Sequence, residues 1–520
     1  MTESRVIIIG GGHNGLVCAT YLAKAGFSVQ VLEASDTTGG LSSAYQFAEN
    51  YRVPGLAHVL HPLNPGIIKD LGLSSAGLVE GEPISTISLG RDKRHLTIGR
   101  DSVTGHGVSP EDSAAYSAFK KEFRDYARAL EPLALNKPPR LKDMDRKDKF
   151  TLACLGWSLR FGLGATSMSE FLRVGGINIF DVLNETMDDP QLKGAIAADA
   201  VIGHHMGPRT PTTVLTYLNR LRGETYGPPC LPVGGSGNIA TVLERAAVNA
   251  GVEVHTGKRV RRIIVDHGRA SGIELQTGEK KMADVVISNA DAKATFLGLV
   301  GSLELDAMFA KRIHTTRTNG NVAKIHFALS ELPEVDGLSE TELGQRLLIA
   351  PDMRYVEHAF NHAKYGEYSE APVLEITIPS LADPSLAPAG HHVMSVSASF
   401  APYVLKRGWD SGRTEFAQAV ISLIEAYAPG FSTRIVRTVI LTPVDIEREF
   451  NVTGGHWHHG EMTIDQSFMM RPVHGTAQYD TPVEGLFLCG AAAHPGGGIT
   501  GLPGRNAARR VLAMMRARKP

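Results

Sequence analysis

The chain has 520 residues, 43% of them hydrophobic, and a formal net charge of −1. That length accommodates two or three domains, and a near-neutral balance without blocks of like charge gives no support to nucleic-acid binding. Four cysteines (Cys18, Cys154, Cys230 and Cys489) stand far apart with no C-x-x-C, so neither a redox disulfide nor a zinc ribbon is expected and a reduced cytoplasmic setting fits.

Residues 6–9 are a short run of branched apolar side chains, which suits a strand buried on both faces of a parallel sheet. A strand beginning by Arg5 is expected to leave no room for a signal or transit peptide. Gly10, Gly12 and Gly15 follow at the G-x-G-x-x-G spacing. The first glycine permits a tight turn, the second lets backbone approach a pyrophosphate, and the third lets a helix pack close on the sheet. Residues 16–25 read as that helix, with Lys24 in its last turn and Gly26 as its stop. Its free amides face the pyrophosphate. Residues 29–32 are the second strand, ending on Glu33, a carboxylate that can accept both hydroxyls of an unphosphorylated ribose and would repel a 2′-phosphate.

Residues 113–130 read as a helix, and 137–140 with 143–149 as a charged surface loop. The longest apolar stretch, residues 150–164, is interrupted by Arg160 and too short to span a bilayer; a buried helix is expected, with a helix lying on a membrane surface as the alternative. Gly234, Gly235 and Gly237 follow Pro228, Pro229 and Pro232 rather than a strand, so they read as the start of a helix over 239–250 and not as a second nucleotide loop. Residues 252–255 alternate as a strand, 260–265 and 270–275 flank a hairpin turn, and 285–288 is a buried strand ending at Asn289. Strands at 322–329, 373–378 and 393–400 and a helix at 414–427 follow, and a run of 486–490 leads through a glycine-rich loop into a last helix reaching about residue 517.

These pieces resemble the phytoene desaturase-related FAD-dependent oxidoreductases over nearly the whole chain. The resemblance rests on Gly10 to Gly15 with His13, Asn14 and Leu16, and on Ala198-Asp199-Ala200-Val201-Ile202-Gly203. It rests also on Gly454-Gly455 followed by His459, Asp465-Gln466 and Arg471-Pro472, and on the block from Cys489-Gly490 through Ala493-His494-Pro495-Gly496-Gly497-Gly498 to Gly504-Arg505-Asn506-Ala507-Ala508. One branch of that family is named for a disulfide oxidoreductase domain, yet this chain has no cysteine pair to serve as one.

The resemblance implies an α/β protein. A glutathione-reductase-type, Rossmann-like FAD-binding domain would be assembled from residues 1–69, 230–299 and 476–520. A discontinuous mixed α+β substrate domain, as in amine oxidase and phytoene desaturase relatives, would take 70–229 and 300–475. FAD is then expected against Gly10, Gly12, His13, Asn14, Gly15 and Glu33, against Gly39, Gly40 and Leu41, and against Val260 and Asn289. In the last block it should meet Gly490, His494, Gly497, Gly498, Gly501 and Leu502. The amides of Gly501 and Leu502, opening the last helix, would stabilise negative charge on the reduced ring. Related flavoenzymes often carry arginines after the ribose acid; residues 33–43 have none, so helix, backbone and hydroxyl donors must neutralise the phosphates.

No triad is visible, as suits chemistry carried by a cofactor. His58, His61 and His459 are candidates to touch substrate or flavin, and Asp465 and Arg471 read either as an ion pair beside the pocket or as substrate contacts. His456, His458 and His459 fit no standard zinc spacing, so no metal is expected. His204-His205 and His391-His392 read as surface pairs. The implied activity is transfer of a hydride from a C–H bond of a largely apolar small molecule to flavin, with oxygen, a quinone or another acceptor receiving the electrons. Amine oxidation, saturation of an enone, and a flavin-binding regulatory role at a membrane or respiratory complex are the alternatives, with an NAD-only dehydrogenase behind them. The expected setting is cytoplasmic, with peripheral membrane contact as a variant.

Overall fold

The computed structural model describes residues 4–517 except 58, 60, 80, 106, 141 and 232–234. Its first layer is a sheet of five parallel strands: β1 (Arg5–Ile9), β2 (Ser28–Leu32), β3 (Glu253–His255), β4 (Val285–Ser288) and β5 (Leu486–Leu488). Their spatial order is β5-β4-β1-β2-β3, the doubly wound arrangement that binds dinucleotides at the carboxyl ends of its strands. β1 lies at the centre, which is why four of its five residues are buried.

Three helices position this layer: α1 (His13–Lys24), α2 (Gly235–Asn249) and α3 (Leu502–Ala517). A Cβ on Gly15 would sit 2.2 Å from the Gly10 carbonyl oxygen, and one on Gly504 would sit 2.1 Å from the Asn14 carbonyl oxygen. Glycine is therefore needed twice: once to lay α1 on the glycine turn, once to lay α3 on α1. The first and last helices of the chain touch backbone to backbone. The Gly235–Gly237 cluster opens α2 as expected, and Gly237 packs against Ala44.

A three-stranded antiparallel meander spans Val260–Asp266, Arg269–Leu275 and Lys280–Met282. A separate eight-stranded sheet takes its strands from residues 86–105 and 322–441; among the described residues its one parallel pair joins Thr86–Ser88 to Arg346–Ile349. The helix Trp409–Glu425 closes one core of this sheet with Phe416, Val420 and Ile424. A further helical layer includes Pro110–Ala129, Pro190–Val201 and Thr213–Glu224, packed through Tyr116, Phe119, Phe123 and Tyr217.

Two expectations fail in one region. The charged run at 143–149 is not a loop: Asp145 and Asp148 form a capping box that starts the helix Arg146–Trp157, and Lys137 pairs with both acids at 2.7 and 2.8 Å. The apolar stretch that follows is not buried. Phe150, Trp157 and Phe161 are 65%, 67% and 62% exposed. Among the described residues no helix is long and apolar enough to cross a membrane.

Candidate functional site

At the carboxyl ends of β1, β2 and β4 lies a cavity of about 910 Å³, walled on its far side by the eight-stranded sheet and the helical layer. Its near wall is mostly backbone. Gly10, Gly12, Gly39, Gly40, Leu41, Val260, Asn289, Gly497 and Gly498 all line it, as do His13, Asn14 and Glu33. Gly10 holds a positive φ of 96°, and a Cβ on Gly12 would meet the Asn289 amide nitrogen at 2.8 Å. Glu33 accepts from the Gly11 N–H at 2.7 Å and the Ser35 N–H at 2.8 Å, leaving lone pairs of its carboxylate for a ligand.

Several polar atoms of the cavity walls are buried without a protein partner among the described residues: His13 Nε2, Asn14 Oδ1, His459 Nδ1, Trp457 Nε1 and both nitrogens of His61. Such atoms normally find a hydrogen bond, so a cluster of them marks space for a polar ligand. Burial, with His459 beside it, pushes His13 down to about 4, against the pull of a bond to the Gly498 backbone. Burial likewise pushes His61 and His459 down to about 4.

Other expected residues lie elsewhere. Gly15 and Gly490 stand behind the wall; Gly490 abuts the Asn289 carbonyl. His494 turns its ring away to the Leu133 carbonyl at 2.9 Å, outside the cavity. Gly501 packs on Val17 and Ile67, and the Leu502 N–H is capped by the Thr500 hydroxyl at 3.3 Å. It is Ile499 and Thr500 that face the cavity. His58 lies outside the described residues. Asp465 and Arg471 form no pair: Asp465 is at the surface with Arg317 at 2.8 Å. The Arg471 guanidinium is buried instead among backbone carbonyls, including those of Ala491 at 3.0 Å, Glu461 at 2.9 Å and His458 at 2.5 Å. A guanidinium with five donors can hold a loop by its carbonyls alone.

The far wall is built from side chains that the sequence reading did not assemble. His204 is buried, not on the surface, and lines the cavity with Trp457 and His458. His391 and His392 are half-buried, bonded to Tyr51 and Ser380. His204 Nδ1 meets Glu461 Oε2 at 3.2 Å, and its ring stacks on His458 at 5.1 Å. Glu461 Oε1 accepts from the His205 N–H at 2.9 Å and lies 3.2 Å from His456 Nε2. Burial alone would raise this carboxyl, yet the imidazoles of His456 and His204 hold it well below the usual carboxylate range.

The ligand-type atoms of His204, His456 and Glu461 lie within 4.8 Å of one another. His204 presents Nδ1–H to Glu461 and His456 Nδ1 accepts from the His458 N–H at 3.3 Å, while His456 Nε2, 3.2 Å from Glu461 Oε1, makes no hydrogen bond among the described residues. Glu461 is the hub of this cluster, accepting from the His204 ring and from the His205 N–H.

Beyond it, Arg220 joins Asp199 at 3.0 Å and Glu375 at 3.7 Å, and Arg346 joins the same two acids at 2.6 and 2.5 Å. Lys324, buried beneath with Ser397 at 3.1 Å, is pushed by that burial to about 7, opposed by Glu375. Lys258 and Arg259, just before Val260, bring cations to the wall near Glu33; their position beside an expected contact was the one available signal.

The model of the flavin containing amine oxidoreductase family matches residues 15–512. Pyridine nucleotide-disulfide oxidoreductase domain-containing protein 2 of Mus musculus is 33% identical, the alignment covering 98% of this chain and 93% of the relative. A neurosporene-forming phytoene desaturase of Rhodobacter capsulatus is 24% identical over 96% of this chain and 92% of its own. Among solved structures, an oxidoreductase from Methanosarcina mazei superposes with a TM-score of 0.62 at 18% identity, covering 98% of this chain and 100% of that one, a likeness of fold.

Proposed function

The chain belongs to the flavin-containing amine oxidoreductases, with FAD as cofactor, and from that premise we propose that it removes a hydride from a C–H bond of a largely apolar small molecule that carries a polar group. The observation that carries this reading is one cavity with two unlike ends. A glycine turn with a ribose-type acid lies at one, and a carboxylate-held histidine lies at the other.

The residues present fit the cofactor. The unsatisfied atoms of His13, Asn14 and His459 ask for a polar ligand at the α1 N-terminus, where free amides favour a pyrophosphate. Glu33 would take the ribose hydroxyls, Gly39 and Gly40 would pass close to the phosphates, and the backbone of Gly497 to Thr500 would back the ring. When bound, FAD supplies a two-electron acceptor.

The protein's own part is proton handling. Because Glu461 takes the Nδ1–H of His204, the unprotonated nitrogen of that ring is Nε2. Burial lowers the His204 imidazole in spite of Glu461, which favours its neutral form. A neutral imidazole oriented by a carboxylate accepts a proton from the atom beside the reacting C–H bond, and the carboxylate then stabilises the imidazolium.

Ile202, Trp457, Met462 and Phe450 supply apolar wall, while Asp199, Arg220 and Glu375 make a charged floor. Both acids there are paired with the Arg220 and Arg346 guanidiniums. With those carboxylates already paired, the floor offers an ammonium group no free counter-ion, which supports desaturation or dehydrogenation over amine oxidation. Oxygen, a quinone or another acceptor would receive the electrons.

The test is anaerobic mixing of the yellow holoprotein with polyenes, alcohols and amines. Loss of the flavin's visible absorbance with a polyene or alcohol is the expected result. Colourless protein with no releasable flavin would sink the cofactor assignment; retained flavin with no bleaching across the panel would replace turnover by a binding role.

A further inference from the structure

The helical segments Arg146–Trp157, Ser158–Gly162 and Gly164–Val174 run on from one another, yet together they bury only Asp148, Thr151 and Val174. Isolated exposed apolar residues are ordinary on a protein surface. This run differs because its large apolar residues share a face. Phe150, Cys154, Trp157 and Phe161 follow at steps of four, three and four, and the Trp157 and Phe161 rings lie 4.3 Å apart. Leu172, 67% exposed, continues the apolar surface in the last segment.

The charge around this face is not neutral. Across residues 140–174 basic side chains outnumber acidic ones seven to four, in a chain whose net charge is −1. Three of the four acids are already occupied: Asp145 and Asp148 by Lys137, and Glu170 by Arg173 at 2.6 Å. Arg146, Lys147 and Lys149 stand exposed at the start of the run, and the Arg160 guanidinium lies 5.5 Å from the Phe161 ring centroid. An amphipathic helix with aromatic residues on one side and lysine and arginine beside them is the pattern that lies in a lipid headgroup layer. Tryptophan favours that boundary, and basic side chains can keep their charges among the headgroups while their stems remain apolar.

We propose that residues 146–174 dock this protein on an anionic lipid surface, with Phe150, Trp157 and Phe161 inserted at the headgroup boundary. Insertion is peripheral, since no described helix can cross a bilayer. The attraction has two parts: burial of the aromatic face, which salt does not weaken, and the excess of lysine and arginine, which salt screens.

The test is co-sedimentation of the FAD-loaded full chain with vesicles of phosphatidylcholine alone and of phosphatidylcholine with phosphatidylglycerol. Binding is expected to the anionic vesicles, weaker on the neutral ones, and reduced by added salt. A W157E/F161E double variant should lower the bound fraction about tenfold while keeping its flavin colour, because both positions are exposed. Brominated acyl chains should quench Trp157 fluorescence, whereas Trp409 is buried. Protein that stays in solution with both vesicle types would overturn the proposal, and so would a double variant that binds like the parent. A dimer detected by light scattering without lipid, and dissociated by the double variant, would show that a second copy covers this face instead.

Discussion

The two walls of the cavity are built on opposite logic. The near wall is backbone: glycine α-carbons, strand ends and a helix N-terminus, with several polar atoms left unsatisfied. The far wall is side chains, paired among themselves through Glu461, Asp199, Glu375 and Arg220. A backbone wall suits a ligand whose shape never changes, which is what a resident cofactor is. A side-chain wall can differ between relatives without disturbing the fold, and it is the wall expected to choose the substrate.

Acid should break both walls, and it is the largest effect expected. His13, His61, His459 and His494 are each pushed by burial to about 4, from an ordinary value of 6.5. With the folded values depressed, the unfolded chain binds protons first as pH falls. The stability these rings contribute is therefore complete above pH 6.5 and lost progressively toward pH 4. Each is worth at most about 3 kcal/mol, a sizeable share of the whole stability of a folded protein. Urea midpoints measured at pH 7, 6 and 5 should fall steeply; a flat profile would mean that these imidazoles are charged or partnered in the native state.

Gly504→Ala separates backbone from side chain. The new methyl would sit 2.1 Å from the Asn14 carbonyl oxygen, at the contact between α3 and α1. Overpacking there should cost about 3 kcal/mol and expel flavin. The melting temperature and the ratio of bound flavin to protein read both effects. A variant that stays yellow and stable would show that the chain ends are not in backbone contact.

Two carboxylate variants sharpen the contrast. Glu461→Gln places an amide NH₂ against the ring N–H of His204 or the backbone N–H of His205, and should cost about 2 kcal/mol of stability as well as slowing flavin reduction. Glu33→Gln removes a ribose acceptor, and should weaken FAD binding about tenfold with a smaller change in melting temperature. Equal losses of stability in the two would erase the distinction between the walls.

The near wall was largely legible in the sequence because its signals are local. Gly10, Gly12, Gly15 and Glu33 lie within one strand–helix–strand unit, where a spacing carries the geometry. Gly497 and Gly498 were found through a long block resembling a family, and they do line the cavity. The same block misled at His494, Gly501 and Leu502, because a glycine loop's direction depends on what packs behind it: Leu133, Ile67 and Thr500. The far wall was not legible. His204 and Glu461 are 257 residues apart, and each looks unremarkable in its own segment. Residues 150–164 were misjudged for a related reason: an apolar run says nothing about whether a neighbour covers it.

The smallest expected effect comes from a residue that the sequence made prominent. Asp465 sits in a block shared with a known family, four residues after Glu461, and a role beside the pocket was a fair reading. The structure places its side chain 57% exposed, with Arg317 as partner and Thr463 also bonded to that guanidinium. The Asp465 carboxyl is held low first by its bond to Arg317, with burial opposing. Solvent screens such a pair, and its net worth is within about 0.5 kcal/mol. Asp465→Asn should therefore leave flavin content, flavin reduction and the melting temperature close to those of the parent. A large loss of reduction rate in that variant, with flavin retained, would mean that the loop holding Asp465 closes on the cavity during turnover, and that the substrate wall extends beyond the hub around Glu461.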